Sequence, residues 1–270
     1  MELSRGHGSL STADLRCVVD GAAPGAWNMA VDEALMESGR TGRVTLRLYG
    51  WDPGCLSFGR NQAARGRYDG GRAAKRGIDV VRRPTGGRSV FHYRELTYSV
   101  TAPADAWGGL ADAYLRINRA LASGLRALGV PASVAGVKRD GPIPRPTARA
   151  CFRDPLPGEV MAGGRKLIGS AQWRDGGALL QHGSILLHND QGTVEDLRVG
   201  GSKTADVPAV GLAEYVDPLP SLERLSRALM ESFGGELERE PAREALTTKE
   251  RSAAERALAK YKDDAWTWRR

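Results

Sequence analysis

Cys151 stands in Thr147-Ala-Arg-Ala-Cys-Phe152, between Arg149 and Arg153, at the end of a stretch rich in Pro, Gly and Arg over 139–158. A cationic neighbour lowers a thiol's pKa and raises its thiolate fraction near neutral pH. Attack of such a thiolate on a thioester exchanges one thioester for another at little free-energy change. An amine arriving second forms the far more stable amide and draws the sequence forward. Lone cysteines are more often small buried hydrophobes, and Cys17 and Cys55 are read that way. On residue type alone Cys151 stays open to either reading.

Lys166 lies early in a strand that follows the Gly163-Gly164 turn. Regular alternation puts Lys166, Ile168, Ser170 and Gln172 on one face and Arg165, Leu167, Gly169 and Ala171 on the other. A lysine among such small and apolar neighbours is either partly desolvated and chemically useful or an edge lysine that snorkels to water. A third feature is Arg82-Arg-Pro-Thr-Gly-Gly-Arg88, directly after the short strand Ile78–Val81. Pro84 fixes the approach, and Gly86 and Gly87 permit positive φ, so that successive N–H groups can form an anion nest. The flanking arginines suit a phosphate or a carbonyl. A plain Gly-Gly hairpin is the competing reading. Neither GxxxxGK[ST] nor GxGxxG followed by a helix is present.

The composition narrows the field. Of 270 residues, 41% are hydrophobic and 26% charged, values of a folded chain rather than a disordered one. No apolar run approaches the length needed to cross a bilayer, and residues 1–11 lack the apolar core of a signal peptide. A soluble, cytoplasmic protein is expected. Three dispersed cysteines without a CxxC pair, and four histidines without HExxH, argue against a disulfide framework and a metal site. The net charge of +7 comes almost entirely from arginine. It is read either as a solvated arginine-rich surface or as steering toward an acidic partner. Nucleic acid is a poor partner, because the basic residues are dispersed and no stacking-aromatic motif accompanies them.

These groups need elements to position them. Trp27, Ala30, Val31, Ala34 and Leu35 predict a helix over 26–39. Val44, Leu46 and Leu48 alternate as a half-buried strand, and an extended segment runs from Ser89 to Thr101. Leu110, Tyr114, Ile117, Leu121, Leu125 and Leu128 mark the clearest helix, stopped at Gly129. Strands over 159–161, 165–174 and 178–188 form a meander. Residues 189–220 read as irregular, and helices close the chain with a Leu222, Leu225, Leu229, Phe233 stripe and a segment over 249–260. Strands, an inserted helix, strands again and terminal helices give an α+β fold. The expected organisation is an N-terminal extension over 1–25, a catalytic domain over 26–220, and C-terminal helices over 221–270 packed on the same domain.

Taken in order, Asn28-Met-Ala-Val-Asp-Glu-Ala34, Trp51 through Gln62, Arg82 through His92, Glu95-Leu-Thr-Tyr-Ser99, Gly164 through Gln172 and Gln181 through Leu187 resemble the lipoate–protein ligase/octanoyltransferase family. That family shares its catalytic domain with biotin–protein ligases. Tyr261 to Arg270 is similar to its closing helix. The resemblance implies a mixed β-sheet flanked by helices, of the biotin/lipoate ligase, class II synthetase-like type, holding an acyl chain in a tunnel beside the Gly-Gly loop. Arg83, Thr85, Gly86, Gly87, His92, Gly169, Ser170, Ala171, His182 and Gly183 map onto its substrate pocket, and Lys166 onto its active-site lysine. Ala150-Cys-Phe152, fifteen residues before Lys166 at the cysteine, resembles the branch in which the cysteine carries the acyl thioester.

In that branch Cys151 takes octanoyl (or lipoyl) from acyl carrier protein and passes it to a lysine of a lipoyl-domain protein such as the glycine-cleavage H protein. No metal or nucleotide is required. The runner-up is an ATP- and Mg-dependent lipoate–protein ligase working through an acyl-adenylate, with Cys151 incidental. A non-catalytic acyl-binding or docking protein on the same fold comes third. One departure is Gly158, where the family pattern has an aromatic residue before the glutamate; the local pocket shape is expected to differ there.

Overall fold

The computed structural model describes residues 15–136, 152, 157–201 and 207–269. In chain order they form β1 (Leu15–Ala23), α1 (Gly25–Arg40), β2 (Val44–Trp51), β3 (Cys55–Phe58), α2 (Gly70–Lys75), β4 (Asp79–Arg82), β5 (Val90–His92), β6 (Glu95–Pro103) and α3 (Leu110–Ala127). There follow β7 (Ala132–Val134), β8 (Val160–Ala162), β9 (Arg165–Asp175), β10 (Ala178–Leu186), α4 (Gly192–Asp196), α5 (Leu222–Leu237), β11 (Ala242–Arg243), α6 (Thr248–Lys262) and α7 (Asp264–Thr267).

Alternation in β2 sets the two faces of the main sheet. Leu46 and Leu48 enter the large core with Leu96, Tyr98 and Val100 of β6 and Ile117, Leu121 and Leu125 of α3. Arg47, Tyr49 and Trp51 point to the opposite face, toward α1. Both faces are covered, so β2 is a fully buried strand rather than the half-buried one its alternation suggests. The strand order is β11-β1-β2-β6-β10-β9-β8-β7, parallel over β11-β1-β2 and antiparallel from β2 onward. A second sheet, β4-β3-β5, joins α1 and α6 on the far side. This is the expected mixed sheet flanked by helices.

Local signals start and stop the helices that matter. Asp112 Oδ2 accepts from the Gly109 N–H at the start of α3, and Gly129 at φ 88° ends it. Its buried stripe is Ala113, Ile117, Leu121 and Leu125, while Leu110 at the first turn is exposed. In α6, Thr247 Oγ1 accepts from the Glu250 N–H and Glu250 Oε2 from the Thr247 N–H, a reciprocal cap. Glu250 also receives both terminal nitrogens of Arg16, at 3.0 and 2.6 Å, which docks α6 against β1.

The sheet differs from the sequence reading at one end. Leu15–Ala23 pair with β2 as an inner strand, so an extension over 1–25 contains part of the main sheet. Arg16 interrupts the apolar pattern there, but Glu250 neutralises it out of solvent. Most of the 139–158 connection, Cys151 included, lies outside the described residues.

Candidate active site

The geometry of β9 decides what faces the site. Met161 pairs with Lys166 but Val160 pairs with Ile168, so Leu167 is an extra residue in the ladder. Such a bulge breaks the two-residue alternation. Leu167 and Ile168 both enter the large core, while Lys166 falls on the face that carries Gly169 and Ala171. The regular alternation expected from the sequence, with Lys166 and Gly169 on opposite faces, is therefore corrected.

Lys166 is 1% exposed, and its Nζ donates to Glu159 Oε1 at 2.6 Å. It also sits 5.3 Å from the centroid of the Phe152 ring. Phe152 is fully buried among Val90, Leu186, Val207 and Ala209. That ring lies over Gly169: a Cβ there would approach it to 2.8 Å. Gly158 takes φ 86° and gives its carbonyl to Asn118 Nδ2, which accounts for a glycine in place of an aromatic.

A narrow cavity of about 20 Å³, room for about one water molecule, lies on this face between the main sheet and the β3–β5 layer. Arg83, His92, Gly169, Ser170, Ala171, His182 and Gly183 line it, joined by Met29, Tyr49, Trp51, Val90, Thr97 and Ser184. Its walls are mostly apolar, with a few buried polar groups among them. Lys166 is beside the lining rather than in it. Thr85 reaches the site through His182, and Gly87, at φ 93°, lies against Ala171. Opposite the loop, Gly59 leaves room for its backbone: a Cβ at 59 would overlap the Gly87 carbonyl.

Two imidazoles stand in the cavity wall, each between a carboxylate and a hydroxyl. His182 Nδ1 faces Asp32 Oδ2 at 2.9 Å and its Nε2 faces Thr85 Oγ1 at 2.7 Å. His92 Nδ1 faces Glu95 Oε1 at 2.8 Å and its Nε2 faces Ser57 Oγ at 2.6 Å, with the ring stacked 4.0 Å from that of Trp51. Asp32 also accepts from Arg47, Tyr49 and Ser99, each at 2.9 Å. Burial opposes its charge, but the His182 hydrogen bond and the Arg47 guanidinium outweigh it and hold the carboxyl below the usual range. For His182 burial wins over the nearby carboxylate, which keeps the ring neutral at pH 7.

Arg83, which lines the cavity, is also held by its own loop. Its Nη1 donates to the carbonyl and hydroxyl of Ser57, and its Nη2 to the Arg88 and Gly86 carbonyls, so the guanidinium shapes its own loop. Arg82, fully buried, donates to carbonyls of Gly59, Gln62 and Thr267 and ties the chain's last helix to the same region. Cys17 and Cys55 are buried as expected; desolvation pushes the Cys17 thiol up to about 12 and raises that of Cys55. Among the described residues no three His, Cys, Asp or Glu side chains come close enough to hold a metal ion, and no helix is long and apolar enough to cross a membrane.

Sequence reasoning missed Asp32, Glu95, Glu159 and Phe152 as site residues. Each lies inside or beside one of the family-like segments. Asp32 follows Met29 by three residues, so a helix already put it on the cavity face.

A helix-flanked mixed sheet with a buried lysine and a Gly-Gly loop beside a narrow, mostly apolar cavity defines a catalytic domain of the lipoate and biotin ligase class. The comparisons agree. The Lipoyl protein ligase A/B catalytic domain profile matches residues 24–234, and the chain belongs to that family. It is 40% identical over 271 residues to octanoyltransferase LipM of Kyrpidia tusciae, covering 94% of this chain and 98% of that one. It is 36% identical to octanoyltransferase LipM of Geobacillus kaustophilus, with the same coverage of both chains. A crystal structure of lipoate-protein ligase A bound with ATP superposes with TM-score 0.77 at 27% identity, covering 94% of this chain and 98% of that one.

Proposed function

We propose that this protein is an acyltransferase of protein lipoylation that moves an octanoyl group from acyl carrier protein to a lipoyl-domain lysine through a thioester on Cys151. The Cys151 thiolate attacks the donor thioester carbonyl; the new S–C bond forms, the carrier's C–S bond breaks, and the carrier thiolate leaves and takes up a proton. A neutral lysine amine of the acceptor then attacks the acyl-cysteine, losing a proton as the amide forms and the Cys151 sulfur departs. In this reading Lys166 supplies the positive charge that favours the thiolate and the developing oxyanion.

The observation that carries this reading is Phe152. It follows Cys151 in the chain, and its ring is anchored against the Lys166 ammonium and Gly169 at the edge of the cavity. The names of the relatives support it: two chains similar along nearly their whole length are octanoyltransferases. The donor, an acceptor such as the glycine-cleavage H protein, a cytoplasmic location and independence from metal and nucleotide belong to the proposal.

The ATP-bound ligase at 27% identity supports a second reading, adenylate-forming ligation. One experiment separates them. The protein is mixed with octanoyl-acyl carrier protein, without ATP, and its intact mass is measured. The transferase reading expects a hydroxylamine-sensitive octanoyl adduct that Cys151→Ala abolishes. Product that forms only with ATP and free acid, unaffected by Cys151→Ala, establishes the ligase instead.

A further inference from the structure

Both cavity histidines end on the same loop. From Asp32 on α1 the hydrogen bonds run through His182 to Thr85; from Glu95 on β6 they run through His92 and Ser57 to Arg83. Thr85 and Arg83 are two residues apart, immediately before Gly86-Gly87.

Hydrogen-bond chemistry gives these chains a direction. Asp32 accepts from the Arg47 guanidinium and two hydroxyls, so its remaining neighbour, His182 Nδ1, must be a donor. A neutral imidazole with its proton on Nδ1 has only a lone pair at Nε2, and the Thr85 hydroxyl donates to it at 2.7 Å rather than to the Gly86 carbonyl at 3.5 Å. At the other histidine the direction comes from the far end. A guanidinium only donates, so Ser57 Oγ accepts from Arg83, and its own proton goes to His92 Nε2 at 2.6 Å rather than to the Val90 carbonyl at 3.5 Å. His92 then donates from Nδ1 to Glu95 at 2.8 Å, the nearer of its two neighbours there (Ser184 Oγ is at 3.1 Å), and Glu95 Oε1 also accepts from Thr97 Oγ1 at 2.5 Å.

We infer that Asp32 and Glu95 are positioning residues: by fixing both imidazoles as Nδ1–H tautomers they make each Nε2 an acceptor that holds the Arg83–Gly87 loop at the acyl site. The Arg60 N–H on the Thr85 carbonyl, at 2.7 Å, holds the backbone at this end of the loop, and the hydroxyl bond to His182 fixes it against the cavity wall. The role of the loop in transfer rests on the octanoyltransferase reading, whereas the tautomers and the hydroxyl anchor do not.

The test has two arms on the full-length protein. In the first, 15N-histidine-labelled protein is measured by NMR at pH 7.5. His182 and His92, assigned with His182→Gln and His92→Gln, are expected as Nδ1–H tautomers. Finding either as Nε2–H overturns the inference. In the second arm, Thr85→Val, which keeps shape but removes the hydroxyl, is compared with Thr85→Ser. A loop displaced by less than an ångström is expected to slow Cys151 octanoylation about 10-fold or more in kcat, with little change in thermal midpoint, and Thr85→Ser is expected to restore the rate. Equal rates for the two variants overturn the inference. Should the wild-type protein form no octanoyl adduct, the activity reading fails. The tautomers then still decide the hydrogen-bond directions, together with a Thr85→Val-specific shift of the His182 Nε2 resonance, whose absence would overturn the anchor.

Discussion

Lys166 and Glu159 form a buried ion pair at 2.6 Å, at 1% and 2% exposure, across the end of the β8–β9 hairpin. Removing one partner of such a pair leaves a charge in a desolvated site, which typically costs on the order of 3–5 kcal/mol. Lys166→Ala is therefore expected to abolish the octanoyl adduct and also to lower stability by roughly that amount. The double variant Lys166→Met, Glu159→Gln removes both charges and should recover most of the stability while staying inactive. Urea denaturation and intact mass measure the two effects separately. A fully stable Lys166→Ala protein that still acylates would show that neither role is real.

Phe152 offers a separate handle on the same corner. Its ring is fully buried in a small cluster and covers Gly169. Phe152→Ala should cost about 3–5 kcal/mol through the cavity left behind. Phe152→Leu fills more of that space, so it should recover at least half of the loss. If the ring serves to anchor the neighbouring cysteine, adduct formation at Cys151 should fall in Phe152→Leu by more than its stability loss explains. A Phe152→Leu protein with wild-type acylation kinetics would confine the residue to packing.

Glu250 connects acid sensitivity to the docking of α6. Burial disfavours its charge, but hydrogen bonds from Arg16, the Thr247 backbone and Ser38 overcome this and lower the carboxyl from 4.5 to about 2. A depressed carboxylate stabilises the fold at pH values above its unfolded pKa, and that contribution is lost as pH falls from about 4.5 toward 2. Glu250→Gln is expected to lose on the order of 2–3 kcal/mol at pH 7 and to flatten the acid limb of the stability curve over this window. An acid limb of unchanged steepness would mean that Glu250 does not report on Arg16.

How far the sequence could be read depended on how each element meets solvent. The stripe of α3 was legible because one face is wet, whereas β1 was hidden because Arg16 is neutralised inside the sheet by Glu250, more than two hundred residues away. The bulge at Leu167 left no mark, since two adjacent apolar residues fit either alternation, yet it decides which way Lys166 points. The Gly-Gly loop was recognisable by composition. Its anchors were not, because Asp32 reaches Thr85 only through His182, a partner 150 positions downstream of it. For Arg83, nothing local in the sequence showed that Ser57 and Arg88 receive N–H groups from it.

His182 makes the upper end of the pH profile testable. Its ring is buried, and that burial lowers its pKa despite the Asp32 carboxylate on α1; Arg83 on the loop and His92 on β5 also oppose a charge there. Arg47 and Tyr49 of β2 face it from behind Asp32. In the unfolded chain a histidine takes up its proton near pH 6.5. Between that value and the lower folded one the unfolded state binds more protons, so folding stability declines as pH falls, by at most about 1.4 kcal/mol per unit for one group. Protonation would also place N–H groups on both ring nitrogens and remove the acceptor that Thr85 uses. Stability is therefore expected to fall from pH 7.5 to 5.5 in the wild type, while the acylation rate falls only at the lower pH where the folded ring itself takes a proton. His182→Gln has no titrating ring, so its stability should depend less steeply on pH over the same range, even though its rate is low throughout. Urea denaturation of both proteins at the two pH values measures this, and equal slopes would show that His182 is already protonated in the fold or titrates as it does in the unfolded chain.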